Sequence, residues 1–157
     1  MKLKNLLPIK ASIKHKDLLF NWRNEKNTVK NSISNKPVKY YVHKKWFRKR
    51  LKAKPILFWI LKKRNSYLGT IRLDKKKRCY FLSYSIDKKF RRRGYGSKII
   101  KEMLKKKIIK DILNKGFKIL AIVKKENQAS VRAILSNNFY KISANKKTYK
   151  LKYENQK

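Results

Sequence analysis

A short basic segment with two glycines, residues 91–97 (Arg-Arg-Arg-Gly-Tyr-Gly-Ser), places the strongest constraint on how this chain can fold. It lies between residues 80–86, an apolar run typical of a strand, and an amphipathic helix pattern that starts near Ser97. Glycine lets the backbone pass close to a ligand, and the N–H groups that open a helix point outward beside the three arginines. The segment therefore predicts an anion-binding loop where a strand crosses to a helix.

Hydrophobic periodicity predicts alternating strands and helices on both sides of this loop. The three strands before it are joined by short links, which is typical of an antiparallel meander. The nearly apolar residues 117–123 are typical of a strand covered on both faces, as parallel strands are. Expected strands cover 6–13, 56–62, 67–74, 78–87, 117–123, 139–144 and 148–153; expected helices cover 16–26, 42–53, 97–114 and 128–136, with a loop over 27–39. This order predicts a single α/β domain over residues 1–157, with a mixed sheet.

The net charge of +39, from 47 basic and 8 acidic residues, has two explanations. An excess this large is typical of proteins that bind nucleic acid or an anionic membrane surface. It also fits compositional drift toward AT-rich codons, because the lysines are spread from Lys2 to Lys157 and are accompanied by many Asn and Ile residues. Under either explanation anionic ligands will be attracted, and nonspecific nucleic-acid binding is possible.

The single cysteine, Cys79, excludes an intramolecular disulfide and leaves no cysteine cluster for zinc, so no metal is expected. No window contains the roughly 20 apolar residues of a membrane span, and the N-terminus lacks the apolar core of a signal peptide. We therefore expect a soluble cytoplasmic protein without a membrane span.

Two common phosphate-binding loops are excluded by spacing. A Walker loop needs four residues between its glycines, whereas only Tyr95 separates Gly94 from Gly96. A Rossmann loop needs a third glycine three residues after the second, where this chain has Ile99, and it normally follows the first strand.

The spacing Arg91-x-x-Gly94-x-Gly96 resembles the acyl-CoA pyrophosphate loop of the GNAT N-acetyltransferase superfamily. The resemblance covers most of the chain, because the order of strands and helices also matches. It includes Asn127 and Ser130, where the family has an Asn-x-x-Ser element after its fifth strand. It implies a mixed, mostly antiparallel sheet of about seven strands flanked by about four helices, with a central parallel strand pair that splays apart.

The resemblance implies acetyl-CoA as a co-substrate. A diphosphate between helix-start amides and adjacent arginines gains charge-assisted hydrogen bonds. By the same resemblance the pantetheine arm lies along the end of the fourth strand, and Asn127 contacts it from the far side. The residues implied in binding the cofactor are Ser85, Ile86, Asp87, Arg91, Arg92, Arg93, Gly94, Tyr95, Gly96, Ser97 and Asn127.

The chain departs from the family pattern at two positions. Many relatives have a tyrosine seven residues after the Asn that protonates the departing thiolate; here that residue is Ile134, which cannot donate a proton. Asn138 replaces the usual glycine, a mild change because Asn tolerates positive φ. For the missing acid, Tyr140 is our first candidate and Tyr84 our second. The base is His43, or a water held by Asp74 or Glu25.

Trp22-Arg23-Asn24 and His43-x-x-Trp46 lie in the first two helices, which form the acceptor wall in this superfamily. They resemble segments of members that acetylate amino sugars on nucleotide carriers, including pseudaminic-acid pathway enzymes, and of ribosomal-protein N-terminal acetyltransferases. We expect direct acetyl transfer to a small-molecule amine, preferably that of a nucleotide-linked amino sugar. A protein N-terminus or lysine is the alternative acceptor, and a basic nucleic-acid-binding module is the alternative of another class.

Overall fold

The computed structural model describes residues 6–155, which form seven strands and six α-helices. The strands are β1 (Leu6–Lys10), β2 (Phe58–Lys63), β3 (Ser66–Lys76), β4 (Cys79–Ile86), β5 (Lys118–Lys124), β6 (Phe139–Ala144) and β7 (Thr148–Tyr153). The α-helices are α1 (Lys16–Asn24), α2 (Lys26–Asn31), α3 (Tyr40–Lys52), α4 (Tyr95–Leu104), α5 (Lys107–Asn114) and α6 (Gln128–Leu135).

One sheet contains all seven strands in the order β1-β2-β3-β4-β5-β7-β6. Every neighbouring pair is antiparallel except β4 and β5, which are parallel. That pair is in register only from Cys79 opposite Lys118 to Leu82 opposite Ala121. Beyond Leu82, β4 continues to pair with β3 while β5 pairs with β7, so a gap opens between them. The predicted mixed sheet with a splayed central pair is confirmed.

The two faces of the sheet carry separate apolar cores, because successive side chains of a strand point to opposite faces. The larger core packs under α4, α5 and α6, and includes Tyr80, Leu82 and Ile86 of β4. The smaller core packs under α1 and α3, and includes Phe47 and Phe58. We refer to these sides as the α4 face and the α1 face. A ligand that crosses the gap between β4 and β5 would pass from one face to the other.

The expected loop over residues 27–39 was wrong in its first part, because α2 occupies it. The helix has no apolar periodicity that would reveal it. Its first turn is capped instead by the Glu25 carboxylate, which accepts hydrogen bonds from the backbone N–H groups of Asn27 at 3.1 Å and Thr28 at 3.2 Å.

The single long helix expected after Ser97 was also wrong, because the chain breaks it into α4 and α5 at Lys105 and Lys106. On an unbroken helix Ile109 would point about 120° away from Met103. Both side chains are fully buried in the larger core. The break therefore rotates α5 so that its apolar side faces the sheet. With α2, it accounts for six helices where about four were expected.

Candidate functional site

The glycine loop leaves the first turn of α4 open. Gly94 is the N-cap residue with φ of 75°, and a Cβ placed on it would meet nothing within 4 Å. Because glycine has no side chain, it cannot cap the N–H groups of Tyr95, Gly96 and Ser97. Arg92 beside them is exposed, as is Arg93. Unpartnered amides at a helix start next to exposed guanidinium groups form a site suited to a phosphate group.

Arg91 differs from its two neighbours because protein groups hold its side chain. Its Nη2 lies 2.6 Å from Glu25 Oε2, and its Nε donates to the Ile86 carbonyl at 3.0 Å. Partial burial acts to raise the pKa of Glu25, but hydrogen bonds from Arg91 and from two backbone amides outweigh it and hold the pKa at about 2. Arg91 therefore joins the end of β4 to the start of α2.

A cavity of about 480 Å³ lies between α1 and the end of β4. It brings together six residues that the sequence implicated in binding: Trp22, Asn24, Ser85, Ile86, Asp87 and Arg91. Across it, Trp22 Nε1 donates to Asp87 Oδ2 at 2.7 Å. The Asn24 side chain bonds both the N–H of Val38 at 2.7 Å and its carbonyl at 2.8 Å, so it fixes the segment that leads into α3.

Asn127 and Tyr84 meet at Ser130 on the α4 face of the gap. Asn127 is the N-cap of α6, and its Oδ1 accepts from the Ser130 N–H at 3.2 Å. The Tyr84 hydroxyl lies 2.9 Å from Ser130 Oγ, and burial raises the pKa of Tyr84. Ile134, at the position of the family's tyrosine, follows Ser130 by about one helical turn on the same side of α6. The Tyr84 hydroxyl and Ile134 therefore lie on the same side of α6.

Tyr140, the first candidate for the acid, lies elsewhere. It belongs to β6, the edge strand, and is 40% exposed. Strands β5 and β7 separate it from β4, which corresponds to three strand spacings or roughly 14 Å. The structure does not bring Tyr140 to the gap.

His43 is packed among aromatic rings of the α1 face rather than lining the cavity. It is 2% exposed, stacks on Phe47 with ring centroids 5.8 Å apart, and its Nε2 lies 2.8 Å from the Lys16 carbonyl oxygen. Burial lowers the pKa of His43, which favours the neutral imidazole. The second residue of this motif, Trp46, lies against Phe58 and beneath the Arg72 guanidinium, 5.0 Å from its ring.

Two residues that the sequence did not single out support the glycine loop and the end of β4. Asn137 is 6% exposed, and its Nδ2 donates to the carbonyl oxygens of Ser97 at 3.1 Å and Ala133 at 2.8 Å. It thereby ties the start of α4 to the end of α6. Gly69 on β3 lies opposite Ile86, and a Cβ there would fall 2.5 Å from the Ser85 carbonyl oxygen. Glycine at position 69 thus allows β3 and the end of β4 to pair closely.

Lys124 at the end of β5 is a third residue without a sequence signal. It is 7% exposed, and its Nζ donates to the Lys30 carbonyl at 2.6 Å and to Asn35 Oδ1. A cation bonded to the last carbonyls of a helix is favourable. Lys124 therefore attaches the C-terminal end of α2 to β5, as Arg91 attaches its N-terminal end to β4.

Within residues 6–155, no three His, Cys, Asp or Glu side chains come together as they would around a metal ion. Over the same range, no helix is both long and apolar enough to cross a membrane.

A family model described as an acetyltransferase (GNAT) domain matches residues 5–139. No curated protein matches the sequence significantly. A GNAT-family acetyltransferase from Bacillus anthracis has a similar structure, at 17% identity and a TM-score of 0.76, over 97% of this chain and 96% of that one.

Two further structures are similar. Spermidine N-acetyltransferase from Vibrio cholerae, in complex with CoA and spermine, matches at 15% identity and a TM-score of 0.74, over 94% of this chain and 92% of that one. Ribosomal-protein-alanine N-acetyltransferase from Brucella melitensis matches at 14% identity and a TM-score of 0.71, over 93% and 98% of the two chains. At such identities the likeness establishes the fold.

Proposed function

The chain belongs to the GNAT family of acetyl-CoA-dependent N-acetyltransferases, and on this premise we propose that its acceptor is the primary amine of a nucleotide-linked amino sugar. The cavity between α1 and the end of β4 supports the proposal, because residues that we propose for the acceptor wall and residues that we propose for the cofactor line one space. Its volume of about 480 Å³ is in the range of small-molecule sites.

The residues present fit acetyl-CoA, which supplies the activated acetyl group. The amides of Tyr95, Gly96 and Ser97, with Arg92 and Arg93, would hold the diphosphate. A Cβ on Gly96 would lie 3.2 Å from Tyr84 Cε2, so glycine suits the close packing of α4 against Tyr84 at this position. The pantetheine arm would bond the free edge of β4, and Asn127 would contact it from α6.

The free edge of β4 also provides a donor for the thioester carbonyl. The Asp87 N–H donates to the Leu68 carbonyl at 2.9 Å, on the side toward β3. Because N–H groups of successive residues point to opposite sides of a strand, the Ile86 N–H is directed toward the gap. A main-chain donor at that point stabilises the oxyanion that forms when the amine attacks the carbonyl carbon.

We propose that Tyr84 protonates the departing thiolate. Its hydroxyl is in the gap beside α6, whereas Tyr140 is on the edge strand. A tyrosine is already protonated at neutral pH and can donate its proton, and Ser130 remains as a hydrogen-bond partner when the proton leaves.

The attacking amine would lose its proton on the side of α1, opposite the α4 face where Tyr84 lies. Glu25 lines the cavity and is ionised at neutral pH because its pKa is about 2. A carboxylate that stays charged stabilises the positive charge that develops on the attacking nitrogen, and it can hold a water that receives the proton. Glu25 is itself paired with Arg91, but it lines the cavity, whereas Asp74 and His43 are not among the lining residues, so we propose Glu25 for this role.

An acceptor screen with acetyl-CoA and a thiol-release readout tests the proposal. It compares nucleotide-linked amino sugars, free amino sugars, polyamines and short peptides. We expect the highest kcat/KM with a nucleotide-linked amino sugar. A peptide or a polyamine that is acetylated more efficiently would show that the acceptor has been assigned wrongly.

A protein N-terminus or lysine is the second candidate acceptor. It is supported by the structural likeness to the Brucella melitensis enzyme, whose name specifies a ribosomal-protein alanine. The screen separates the two candidates directly, because the peptides carry no nucleotide and the amino sugars carry no peptide bond.

A further inference from the structure

Two guanidinium groups share one carboxylate on the α1 face of the sheet, and a third guanidinium group lies nearby. Arg50 Nη2 lies 2.8 Å from Asp74 Oδ1, and Arg72 Nε lies 2.9 Å from Asp74 Oδ2. Arg23 of α1 is close enough to Arg72 for their charges to repel. Among residues 6–155 Arg23 forms no ion pair with an Asp or Glu. We call Arg23, Arg50, Arg72 and Asp74 the arginine cluster; it carries three positive charges and one negative charge.

Arg23 is the arginine of the cluster whose positive charge is least compensated. Its Nη2 donates to Ser34 Oγ at 3.1 Å and to the Lys36 carbonyl at 3.2 Å, but its Nη1 is buried and has no hydrogen-bond partner within residues 6–155. Burial lowers the pKa of Arg23, and the charge of Arg72 lowers it further. A partly buried cation beside another cation is costly unless an anion joins them.

No member of the arginine cluster is among the residues that line the cavity, but Arg23 and Arg72 are near lining residues in sequence and in sheet register. Arg23 stands in sequence between Trp22 and Asn24, which both line the cavity. Arg72 pairs with Ser83 of β4, two residues before the cavity-lining Ser85. Along a strand, Ser83 is roughly 7 Å from Ser85 and roughly 10 Å from Ile86, where the acetyl group would be attacked.

Resting on the proposed function, we infer that Arg23 and Arg72 form an anion-binding subsite that takes a phosphate or carboxylate group of the acceptor. Guanidinium groups bind both anions through paired N–H donors. Arg72 is supported from below by the Trp46 ring, and Arg23 is held by the segment that leads to α3.

The separation along β4 restricts the acceptor. An acid group at Arg72 and an amine near Ile86 would be on the order of 7 to 10 Å apart. The acid and amine of an α-amino acid are too close for that, since they are two bonds apart. An amino sugar with a phosphate across the ring, or a longer amine with a distal carboxylate, fits the subsite.

Matched acceptors test the inference. We compare a 4-amino-sugar 1-phosphate, whose amine and phosphate lie across the ring from each other, with the uncharged methyl glycoside of the same sugar, at 0.15 M salt or above to screen the general positive field. The wild type should acetylate the phosphate at least 10-fold more efficiently. In Arg23→Gln the ratio of kcat/KM for the phosphate to kcat/KM for the methyl glycoside should fall by about 10- to 100-fold, as for a lost charge-assisted hydrogen bond.

Two control variants test whether the effect of Arg23→Gln comes from the anion-binding subsite. The alternatives are the overall positive charge and structural support of the segment that leads to α3. Arg48→Gln removes the same charge from an exposed position of α3 and should not change kcat/KM for either acceptor. Arg23→Lys keeps the charge and should keep part of the preference. If Arg23→Gln weakens both acceptors equally, or Arg48→Gln acts like it, the inference is overturned.

A binding measurement distinguishes failure of the inference from failure of the proposed function. With saturating coenzyme A bound at the glycine loop, calorimetry with inorganic phosphate and with acetate should show binding in the wild type that Arg23→Gln loses. Binding that depends on Arg23, without acetylation of either sugar, would support the subsite and contradict the sugar acceptor. Equal acetylation of both sugars, with anion binding independent of Arg23, would remove the subsite and leave the transferase.

Discussion

The Arg91 guanidinium lies 2.6 Å from the Glu25 carboxylate and links the end of β4 to the start of α2. This pair gives the first prediction. The pKa of Glu25 is about 2 in the folded chain against an ordinary value of 4.5, so the unfolded chain takes up the proton first as pH falls. The contribution of the pair to stability is therefore complete above about pH 4.5 and is lost as pH falls toward 2.

We expect Glu25→Gln to lower the free energy of unfolding by about 0.5 to 1 kcal/mol at pH 7, and by less at pH 3. Denaturant unfolding at the two pH values measures both differences. Glu126→Gln is the control, because that side chain is 64% exposed and lies 4.0 Å from its nearest cation, Lys124. A deficit in Glu25→Gln that stays constant between pH 7 and pH 3 would contradict the pKa shift.

The second prediction concerns Gly94 and the anion site at α4. Gly94→Asp and Gly94→Asn share the same strain at φ of 75° and the same open surroundings, and they differ by one negative charge. We expect coenzyme A to bind the Asp variant at least 10-fold more weakly than the Asn variant, because the carboxylate would repel the diphosphate. Calorimetry measures both affinities. Equal affinities would mean that the diphosphate binds elsewhere.

The third prediction separates the two tyrosines proposed as acid. Tyr84→Phe removes the hydroxyl that bonds Ser130 and should lower kcat by about 100-fold, with little change in coenzyme A affinity. Tyr140→Phe, on the edge strand, should leave kcat within about 2-fold. Steady-state rates for both variants decide the assignment. The reverse order of effects would move the acid to β6.

The fourth prediction concerns His43. Burial lowers its pKa in the folded chain below 6.5, so below that pH the unfolded chain binds a proton that the folded chain resists. Stability should therefore decrease as pH falls through 6.5, and His43→Gln should reduce this dependence. His15, which is also buried with a lowered pKa, should account for part of the remainder. Thermal unfolding between pH 5 and 8 measures the dependence.

The same variant tests catalysis. If Glu25 and a water take the proton, His43→Gln keeps the acidic limb of the profile of kcat/KM against pH. Loss of that limb would return the role of base to His43.

Local signals in the sequence were sufficient for most of the fold. The hairpin of β6 and β7 has the predicted bounds, because alternating strands flank a short polar turn. The apolar run that became β5 indicated a parallel strand, whereas the splay of the central pair was implied by the resemblance to GNAT N-acetyltransferases, which starts from the loop spacing. Both depend on residues that are neighbours in sequence.

The features that were missed depend on contacts between distant residues. Helix α2 is stabilised by Arg91 and Lys124, which lie 66 and 94 residues away from their partners Glu25 and Lys30. Gly69 is required by the Ser85 carbonyl of the neighbouring strand. Arg23 was named as a wall residue, but the effect of the Arg72 charge on it arises only in the folded chain. Hydrophobic periodicity carries no information about such pairs.

Helix α2 is attached at one end to the segment after β4, through Arg91, and at the other end to β5, through Lys124. A helix of six residues is roughly 9 Å long and resists stretching. Because α2 is attached at both ends, it limits how far β4 and β5 can separate at the opening between them. Any ligand that moves the two strands further apart must first break a contact at one end of α2.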